Sequence, residues 1–509
     1  MKAAALQCLL VAPLLLLFPG FSQATIEYTV SVANPDEHII RVSMTIPDAE
    51  ERTIVQIPAW NALYQIRDFS YRLQEVRAQV EGGNAVLRKL DKQTWQVAGW
   101  KSRRRVTITY GAEWDEASPF STQLNGSHAF INFAMILMYA PERRSEDVRV
   151  TFAGLPPDWK VGAQLKSDDS GRAFTAKNYD DLVDAPAELG RFDEFTFDVR
   201  GGAGTARIRV IAHAHQPLSD GDRQKLQSML SRVVATETEL MRDVPFDEYL
   251  FLYHFGEGGG GMEHAYSTAI HAGSIDAAMG VTAHEFFHLW NVKRIRPRTL
   301  EPVDYTRENW TRALWFAEGV TSTYGNYTLL RSGLWSRQQY LADLAGEISK
   351  LEARRARTWK SVEEASLDAW LEKYRAYHAP AYSISYYNKG QILGVLLDIL
   401  IRDATQNRKS LDDVLRHLNE EFARKRRYYD DSADIRAAAE SVAGRSFEEF
   451  FARYVAGTDD LPYDEIFARA GLRLKPRTSD GPPAFEELAE ATPLARRIRE
   501  GLLRGITDE

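Results

Sequence analysis

Cysteine is all but missing from this chain: Cys8 is the single one in 509 residues, so no intramolecular disulfide can form and stability must come from packing. Long apolar runs are missing as well, apart from one at the very start, and nothing after it approaches the roughly 20 residues of a membrane-spanning helix. Positive charge is not in excess, since 63 Lys and Arg against 71 Asp and Glu give a net charge of −8. An acidic chain without a long basic tract is a poor partner for nucleic acid. Arg103-Arg104-Arg105 and Arg354-Arg355 therefore read as solvated surface. No internal repeat is evident, which sets solenoids and propellers aside.

What remains is ordinary globular material, with 44% hydrophobic and 26% charged residues, and its length exceeds what one hydrophobic core usually serves, so two or three domains are expected. Residues 1–24, MKAAALQCLLVAPLLLLFPGFSQA, read as a signal peptide: Lys2 gives the positive start, Leu9 to Phe18 the apolar run, and Ser22-Gln23-Ala24 a small-x-small cleavage site. Its removal predicts an exported product, periplasmic or secreted, with no stable membrane span, no thiol and a net charge of 62 − 71 = −9. An uncleaved anchor is the alternative. Cys8 is not a lipid-attachment site, because Ala5-Leu6-Gln7 does not resemble a lipobox.

From Thr25 to about residue 216 short alternating or β-branched runs recur, at 26–32, 38–46, 105–110, 147–152 and 206–212, separated by turn signals such as Asn34-Pro35-Asp36 and Gly82-Gly83-Asn84. This stretch predicts an antiparallel β domain. After Pro217 the period becomes helical, with Ser219 or Asp220 as N-cap. A strand near 249–255, a glycine run and an extended segment over 262–270 follow, and then helices near 308–332, 336–355, 388–404, 411–426 and 446–455. The fold class is α+β multidomain: an N-terminal β domain over 25–216, a mainly helical domain over 217–474, and a C-terminal tail over 475–509 that opens with Pro476, Pro482 and Pro483 and ends in one amphipathic helix.

The most informative feature is His284-Glu285-Phe286-Phe287-His288, the HExxH pattern of zinc hydrolases. Two histidines four apart on a helix lie one turn above each other, where both imidazoles reach a single cation. Glu285 is turned about 100° from His284. That leaves its carboxylate beside the metal and not on it, the position of a general base. Met279, Ala283, Phe286, Phe287 and Trp290 cluster on the opposite side of the wheel, so one face is core and the other presents the site. A catalytic zinc needs a third protein ligand. Glu318, in WFAEGVTSTYG, is the best candidate: Trp315, Phe316 and Val320 make its segment look buried, and Ser322 and Gly325, small and on its face, would let the two helices come close. By itself, a helical glutamate is more often a solvated or salt-bridged residue.

HEFFHLWNVKRIRP, then LWFAEGVTSTY, then SYYNKGQILGVLLD, in that order, resembles the glycyl aminopeptidase family of zinc metallopeptidases, related to the aminopeptidase N and thermolysin gluzincins. The likeness runs from roughly Thr25 to Leu474. It implies a thermolysin-like catalytic domain, one Zn²⁺ per chain held by His284, His288 and Glu318, and Glu285 as base. Gly260-Gly261-Met262-Glu263-His264 resembles the exopeptidase GxMEN motif, with His264 in place of Asn. By that resemblance Gly261, Met262 and Glu263 bind substrate, Glu263 pairing with its free α-amine. Gly258 to Gly261 is no phosphate loop, since no Gly-Lys-Ser/Thr follows. Tyr387, before Asn388-Lys389-Gly390, matches the tyrosine that stabilises the tetrahedral oxyanion; its neighbour Tyr386 is the residue with which it could be confused. Members of the family commonly carry a C-terminal PDZ domain, for which too little chain follows Leu474.

The other histidines carry no motif. His254, His264 and His271 read as structural or substrate-lining, and His213 and His215 as exposed or hydrogen-bonded strand residues in preference to a metal pair. The resemblance thus implies an enzyme that removes the first residue, small ones such as Gly or Ala preferred, from peptides with a free N-terminus. A zinc endopeptidase with the same site and a catalytically silent peptide-binding protein are the alternatives.

Overall fold

Alternation of β-branched and polar residues does build strands over the first part of the chain. A computed structural model describes residues 25–61, 63–256, 258–371, 381–475 and 483–504; the expected signal segment, 1–24, lies outside the described residues. All five stretches expected as strand are strand, at Ile26–Ser31, Ile39–Ala49, Arg104–Glu113, Val148–Ala153 and Gly204–Ala214. The first four share an eight-stranded sheet that is antiparallel apart from the parallel pair Ile26–Ser31 and Val148–Ala153. A four-stranded sheet that includes His128–Ile131 and Ala187–Gly190 lies between this sheet and the catalytic half. The N-terminal β domain and the helical region after it give the α+β fold class expected.

The fifth strand belongs elsewhere. Asp193–Gly201 and Gly204–Ala214 form a hairpin, and the second of them pairs in parallel with Tyr249–Phe255, which pairs in parallel with Ser267–Ala272. The boundary expected near residue 216 falls inside this five-stranded sheet. Residues 193–214 look like their N-terminal neighbours in alternation, and only strand pairing, which is non-local, assigns them to the catalytic half. The helix Asp220–Met241 makes the crossover between two parallel strands, capped by Ser219, whose side chain accepts from the Asp222 N–H. The extended segment expected over 262–270 is two strands, Gly260–Glu263 and Ser267–Ala272, folded back antiparallel, with Gly260–Glu263 at the sheet edge.

The helix Ile275–Phe287 starts at Ser274, whose side chain accepts from the Ala277 N–H, and buries Ala278, Ala283, Phe286 and Phe287 in the core. The helix expected from Glu308 begins only at about Trp315. Before it, the Asn309 amide donates to the carbonyls of Asp304 and Arg307 and its oxygen accepts from the Asp304 N–H, local bonds that compete with helix formation. The first turn, Trp315–Val320, is a π-turn, and an α-helix, Thr321–Arg331, continues it. The helix Tyr386–Ala404 starts two residues earlier than its periodicity predicts because Ser385 caps it, and this puts Tyr387 in its first turn. It is the centre of the helical half, buried on every face from Lys389 to Arg402. The chain after Leu474 is packed where it is described: Leu472–Lys475 pairs with Ala484–Glu487, and the helix Pro493–Arg504 buries Ile498 and Leu502 in the main core. None of the described helices is long and apolar enough to cross a membrane.

One carboxylate ties the N-terminal domain to the hairpin that carries Glu263. Asp184 accepts from the Lys293 ammonium at 2.6 Å, from the Ala265 N–H at 2.9 Å, and lies 3.3 Å from His264 Nδ1. Burial alone would raise its pKa, but the Lys293 charge and the His264 hydrogen bond outweigh burial and hold it well below the usual carboxylate range. A folded-state pKa below the unfolded one gives stability that is complete above the unfolded value of about 4 and lost as pH falls beneath it. Asp184→Asn should therefore cost about 2 kcal/mol at neutral pH. The gap between parent and variant, read from urea midpoints, should narrow below about pH 4; a gap independent of pH would show that the charge is not what matters.

Candidate metal centre and active site

Helix geometry brings the two histidines together as their spacing requires. His284 Nε2 and His288 Nε2 are 3.0 Å apart, and Glu318 Oε2 lies 3.5 Å from the first and 3.3 Å from the second. Tetrahedral coordination with bonds of 2.0–2.1 Å puts donor atoms about 3.3 Å apart, so these three fit one zinc-sized cation. Two buried imidazoles and a buried carboxylate are also the donor types such an ion takes. The histidines are aimed by their other nitrogens. His288 Nδ1 donates to the Asn291 carbonyl at 2.7 Å. Ser322 Oγ donates to the Glu318 carbonyl at 3.0 Å and lies 3.3 Å from His284 Nδ1, from which it accepts. These partners hold the outer nitrogens as donors, so that each Nε2, once deprotonated, presents a lone pair to a cation in the site.

Glycines decide how closely the parts approach. A Cβ on Gly319 would sit 2.5 Å from Gly390 Cα and 2.7 Å from the Tyr386 carbonyl. Only glycine at both positions lets the π-turn of Glu318 lie directly on the first turn of the Tyr387 helix. Gly325 lies against the backbone of His284, 3.3 Å from its nitrogen when a Cβ is added, as the small residues on that face led one to expect. Gly261 is packed on the proposed base: an added Cβ would be 2.6 Å from Glu285 Cδ and Oε1. Asn291 links the end of the HEFFH helix to the π-turn by donating to the Phe316 carbonyl at 2.8 Å and to Thr321 Oγ1 at 3.1 Å.

Every residue proposed for the site lines or borders one cleft of about 190 Å³, with Glu263, Glu285, Glu318 and Tyr387 around the histidines. One donor atom each from Glu263, Glu285 and His288 lie within 4.8 Å of one another. Tyr387 lies beside His284, its ring tilted to the imidazole at 6.1 Å between ring centres, whereas Tyr386 is buried beneath it. His264 is a buried strut to Asp184. Without a cation the cluster holds its protons unevenly. Burial lowers both imidazoles, but the Glu318 carboxylate outweighs burial at His288, lifting it to about 10, and does not at His284, which stays below its ordinary value.

Some site residues carry no signal in the sequence. Tyr64, from an irregular N-terminal loop, reaches both this cleft and a smaller adjoining pocket of about 90 Å³ that shares Glu263 with it and that Trp60, Met262, His264 and Tyr305 also line. Asn291 and Ser322 were visible as residues but not as hydrogen-bond partners, because those contacts depend on how two helices cross.

The family model of the Peptidase M61 N-terminal domain matches residues 27–191, and that of the M61 glycyl aminopeptidase matches residues 277–393. The chain belongs to the M61 glycyl aminopeptidase family. This M61 chain is a peptide hydrolase. It is similar to an aminopeptidase N family protein from Idiomarina loihiensis, with 26% identity and a TM-score of 0.82 over 89% of this chain and 79% of that one. An M1 zinc metallopeptidase variant from Deinococcus radiodurans shares its fold at 16% identity, TM-score 0.54, over 86% of this chain and 95% of the other. Yeast LTA4 hydrolase in complex with bestatin does so at 12% identity, TM-score 0.51, over 88% and 71%. No curated protein matches the chain.

The contact of Gly261 on Glu285 makes a specific demand. Gly261→Ala should displace the Glu285 carboxylate while leaving the three metal donors in place. Peptide hydrolysis should fall by an order of magnitude or more, about the cost of misplacing a reacting group by 1 Å, with metal content unchanged by elemental analysis. Full activity in the variant would mean that Glu285 has room to spare.

Proposed function

We propose that this M61 chain is a zinc aminopeptidase that hydrolyses the first peptide bond of peptides with a free N-terminus and prefers a small first residue. The carrying observation is the position of Glu263, whose carboxylate lies within 4.8 Å of the donor atoms of both Glu285 and His288. An anion so close to the hydrolytic site gives a substrate ammonium a partner one residue from the scissile bond, and its charge fixes the register of the chain. The edge strand Gly260–Glu263 supports the same reading, since an extended peptide can add to it by main-chain hydrogen bonds.

His284 Nε2, His288 Nε2 and Glu318 Oε2 would hold the ion. Zinc, when bound there, supplies a Lewis acid for the scissile carbonyl and acidifies water. Glu285 takes the proton of the attacking water and returns it to the leaving amine. The Tyr387 hydroxyl donates to the oxygen that gains charge in the transition state. The preference for Gly or Ala is supported by the adjoining pocket that Glu263 also lines, which at about 90 Å³ and walled by Trp60, Tyr64 and Tyr305 leaves little room for a long first side chain.

Glu285→Gln should retain zinc and the fold and lose at least about 100-fold in activity, whereas His288→Ala should lose the metal too. Equal rates in Glu285→Gln and the parent would contradict the base. Parent enzyme should cleave a free-amine peptide and spare its N-acetylated form, and Glu263→Ala should mainly erase that difference. Unchanged discrimination would remove the amine anchor and favour an endopeptidase.

Export is part of the proposal, on the strength of the apolar segment Leu9 to Phe18 and the small-x-small site at Ser22-Gln23-Ala24. The protein recovered from outside the cytoplasm should begin at Thr25 by N-terminal sequencing; an N-terminus at Met1 there would contradict cleavage.

A further inference from the structure

Four imidazoles and one carboxylate meet where the N-terminal domain packs on the catalytic sheet. His213, His254 and His271 are direct cross-strand neighbours on three adjacent parallel strands, so they form a row on one face. Ile211, Leu250, Leu252 and Ala269 share that face and pack on Phe130 of the N-terminal domain. The same domain sets His128 and the completely buried Glu188 against the row. Burial alone would raise the Glu188 pKa, but the facing His128 and His254 outweigh it and keep the group an ionised carboxylate. As a carboxylate it can only accept, and it does so from His128 Nδ1 and His254 Nε2, both at 2.8 Å. Gln123 gives its amide N–H to Asp115 at 3.1 Å, which turns its oxygen toward His128 Nε2, also at 3.1 Å. Both nitrogens of His128 therefore donate, and His128 with Glu188 is a buried ion pair.

His213 and His271 have no such outlet for a second proton. Among the described residues, neither ring nitrogen of His271 has a hydrogen-bond partner, and Nδ1 of His213 has none. The Glu188 oxygen that lies 3.7 Å from that Nδ1 already accepts from His128. His213 lies flat on His128, with 3.9 Å between ring centres and 10° between planes, so a proton added to it sets two like charges face to face. His271 is 4.3 Å from His254 between ring centres. Burial outweighs the pull of Glu188 and holds His213 down to about 4, and burial with the facing His254 holds His271 down to about 2. The row borders a cleft of about 550 Å³ whose charged residues are paired elsewhere, Arg191 with Asp158 and Asp193 with Arg223. His215, also in its wall, lies against Gly256.

We propose that this junction is an acid-operated clasp: proton uptake by His213 and His271 loosens the N-terminal domain from the catalytic sheet, and with it the edge strand that carries Glu263. The mechanical link is short. His271 pairs directly with Gly260 at the start of that strand, while from the N-terminal domain Phe120 lies on Gly260 and the Asn132 amide donates to Met262 Sδ at 3.7 Å. The direction follows from linkage. A histidine whose pKa is lower in the closed junction than in an open one binds fewer protons when closed, so closure is strongest above the ordinary value of about 6.5 and weakens as pH falls beneath it. Between pH 7 and pH 5 each of these two rings favours opening by about 25-fold, or about 500-fold together. His128, already protonated when closed, opposes this by about fourfold, and Glu188, ionised across that range, leaves it unchanged. The two neutral rings therefore decide the outcome.

Amide hydrogen exchange of the full chain at pH 7 and pH 5, corrected for its intrinsic pH dependence, tests the clasp. In the parent, exchange in His128–Ile131 and Ala187–Gly190 should quicken on the order of 100-fold, while the buried helix Tyr386–Ala404 stays protected. In His213→Gln/His271→Leu the gain should fall below about tenfold. His213→Gln alone, at a partly exposed position and able to keep the bond to the Arg191 carbonyl, should remove about 25-fold of the parent's change should the double variant not fold. The consequence for activity rests on the amine-anchor role of Glu263. KM for a free-amine Gly reporter should rise from pH 7 to pH 5 more steeply in the parent than in the variants, with kcat changing alike in all. Cleavage of the N-acetylated reporter as fast as the free amine at pH 7 would remove the anchor reading and leave the exchange result to stand. No acceleration in the parent, equal acceleration in parent and variants, or acceleration as large in Tyr386–Ala404 as in the sheet would overturn the clasp. Exchange that responds while KM does not would break its link to Glu263.

Discussion

Close approach of two backbones, at Gly319 and Gly390, is the constraint on which the catalytic half depends. Neither position has space for a Cβ, so the turn that carries Glu318 rests directly on the turn that carries Tyr387. The π-turn adds to this. One extra residue per turn rotates Glu318 relative to the helix that follows, and the carboxylate comes to 3.5 and 3.3 Å from the two histidine Nε2 atoms. A regular α-helix from Glu308 onward would direct the same side chain elsewhere. Ser322, one turn on, then serves both segments: it donates to the Glu318 carbonyl and accepts from His284. Ligand geometry is thus set by backbone contact first and by side-chain hydrogen bonds second.

The remaining groups proposed for catalysis are located by a different device, a sheet edge. Glu263 sits three residues along an edge strand from Gly260, and Gly261 between them is pressed on Glu285. The proposed amine anchor is therefore carried by, and the proposed base packed against, one support, the hairpin Gly260–Ala272, itself held by Asp184 from the N-terminal domain through the Ala265 N–H and Lys293. On the proposed roles, specificity and chemistry are coupled by this contact. A movement of the N-terminal domain would shift Glu263 relative to the proposed metal donors, and through Tyr64 it would also change the adjoining pocket.

Legibility in the sequence followed the range of the interactions. HEFFH can be read because an i, i+4 pair on a helix is local, whereas Glu318 is singled out by the family resemblance, with which the buried period of its segment and the small Gly325 only agree. The helical start at about Trp315 cannot be read, because it depends on Asn309 bonding to Asp304 and Arg307 instead of continuing a helix. The sheet to which strands 193–214 belong is hidden for the same kind of reason: alternation tells that a segment is a strand, and only its partner at Tyr249–Phe255 tells which sheet. The packed helix after Pro493 had the periodicity of an amphipathic helix, but not the identity of the helix it covers.

The histidines outside HEFFH show this limit most clearly. His213 and His215 alternate along a strand and look like an exposed pair, whereas the residues that give His213 its chemistry, His128 and Glu188, are 85 and 25 positions away in sequence. No spacing rule links them. They meet because two sheets, each folded by its own alternation, present one face to the other, and the N-terminal face carries a carboxylate with no exposed surface. A buried carboxylate is stable only where positive charge or several donors surround it. A chain that keeps an anion and four imidazoles at the junction of two domains makes domain contact conditional on what neutralises them, and this separates that junction from the apolar packing that holds the helical half together.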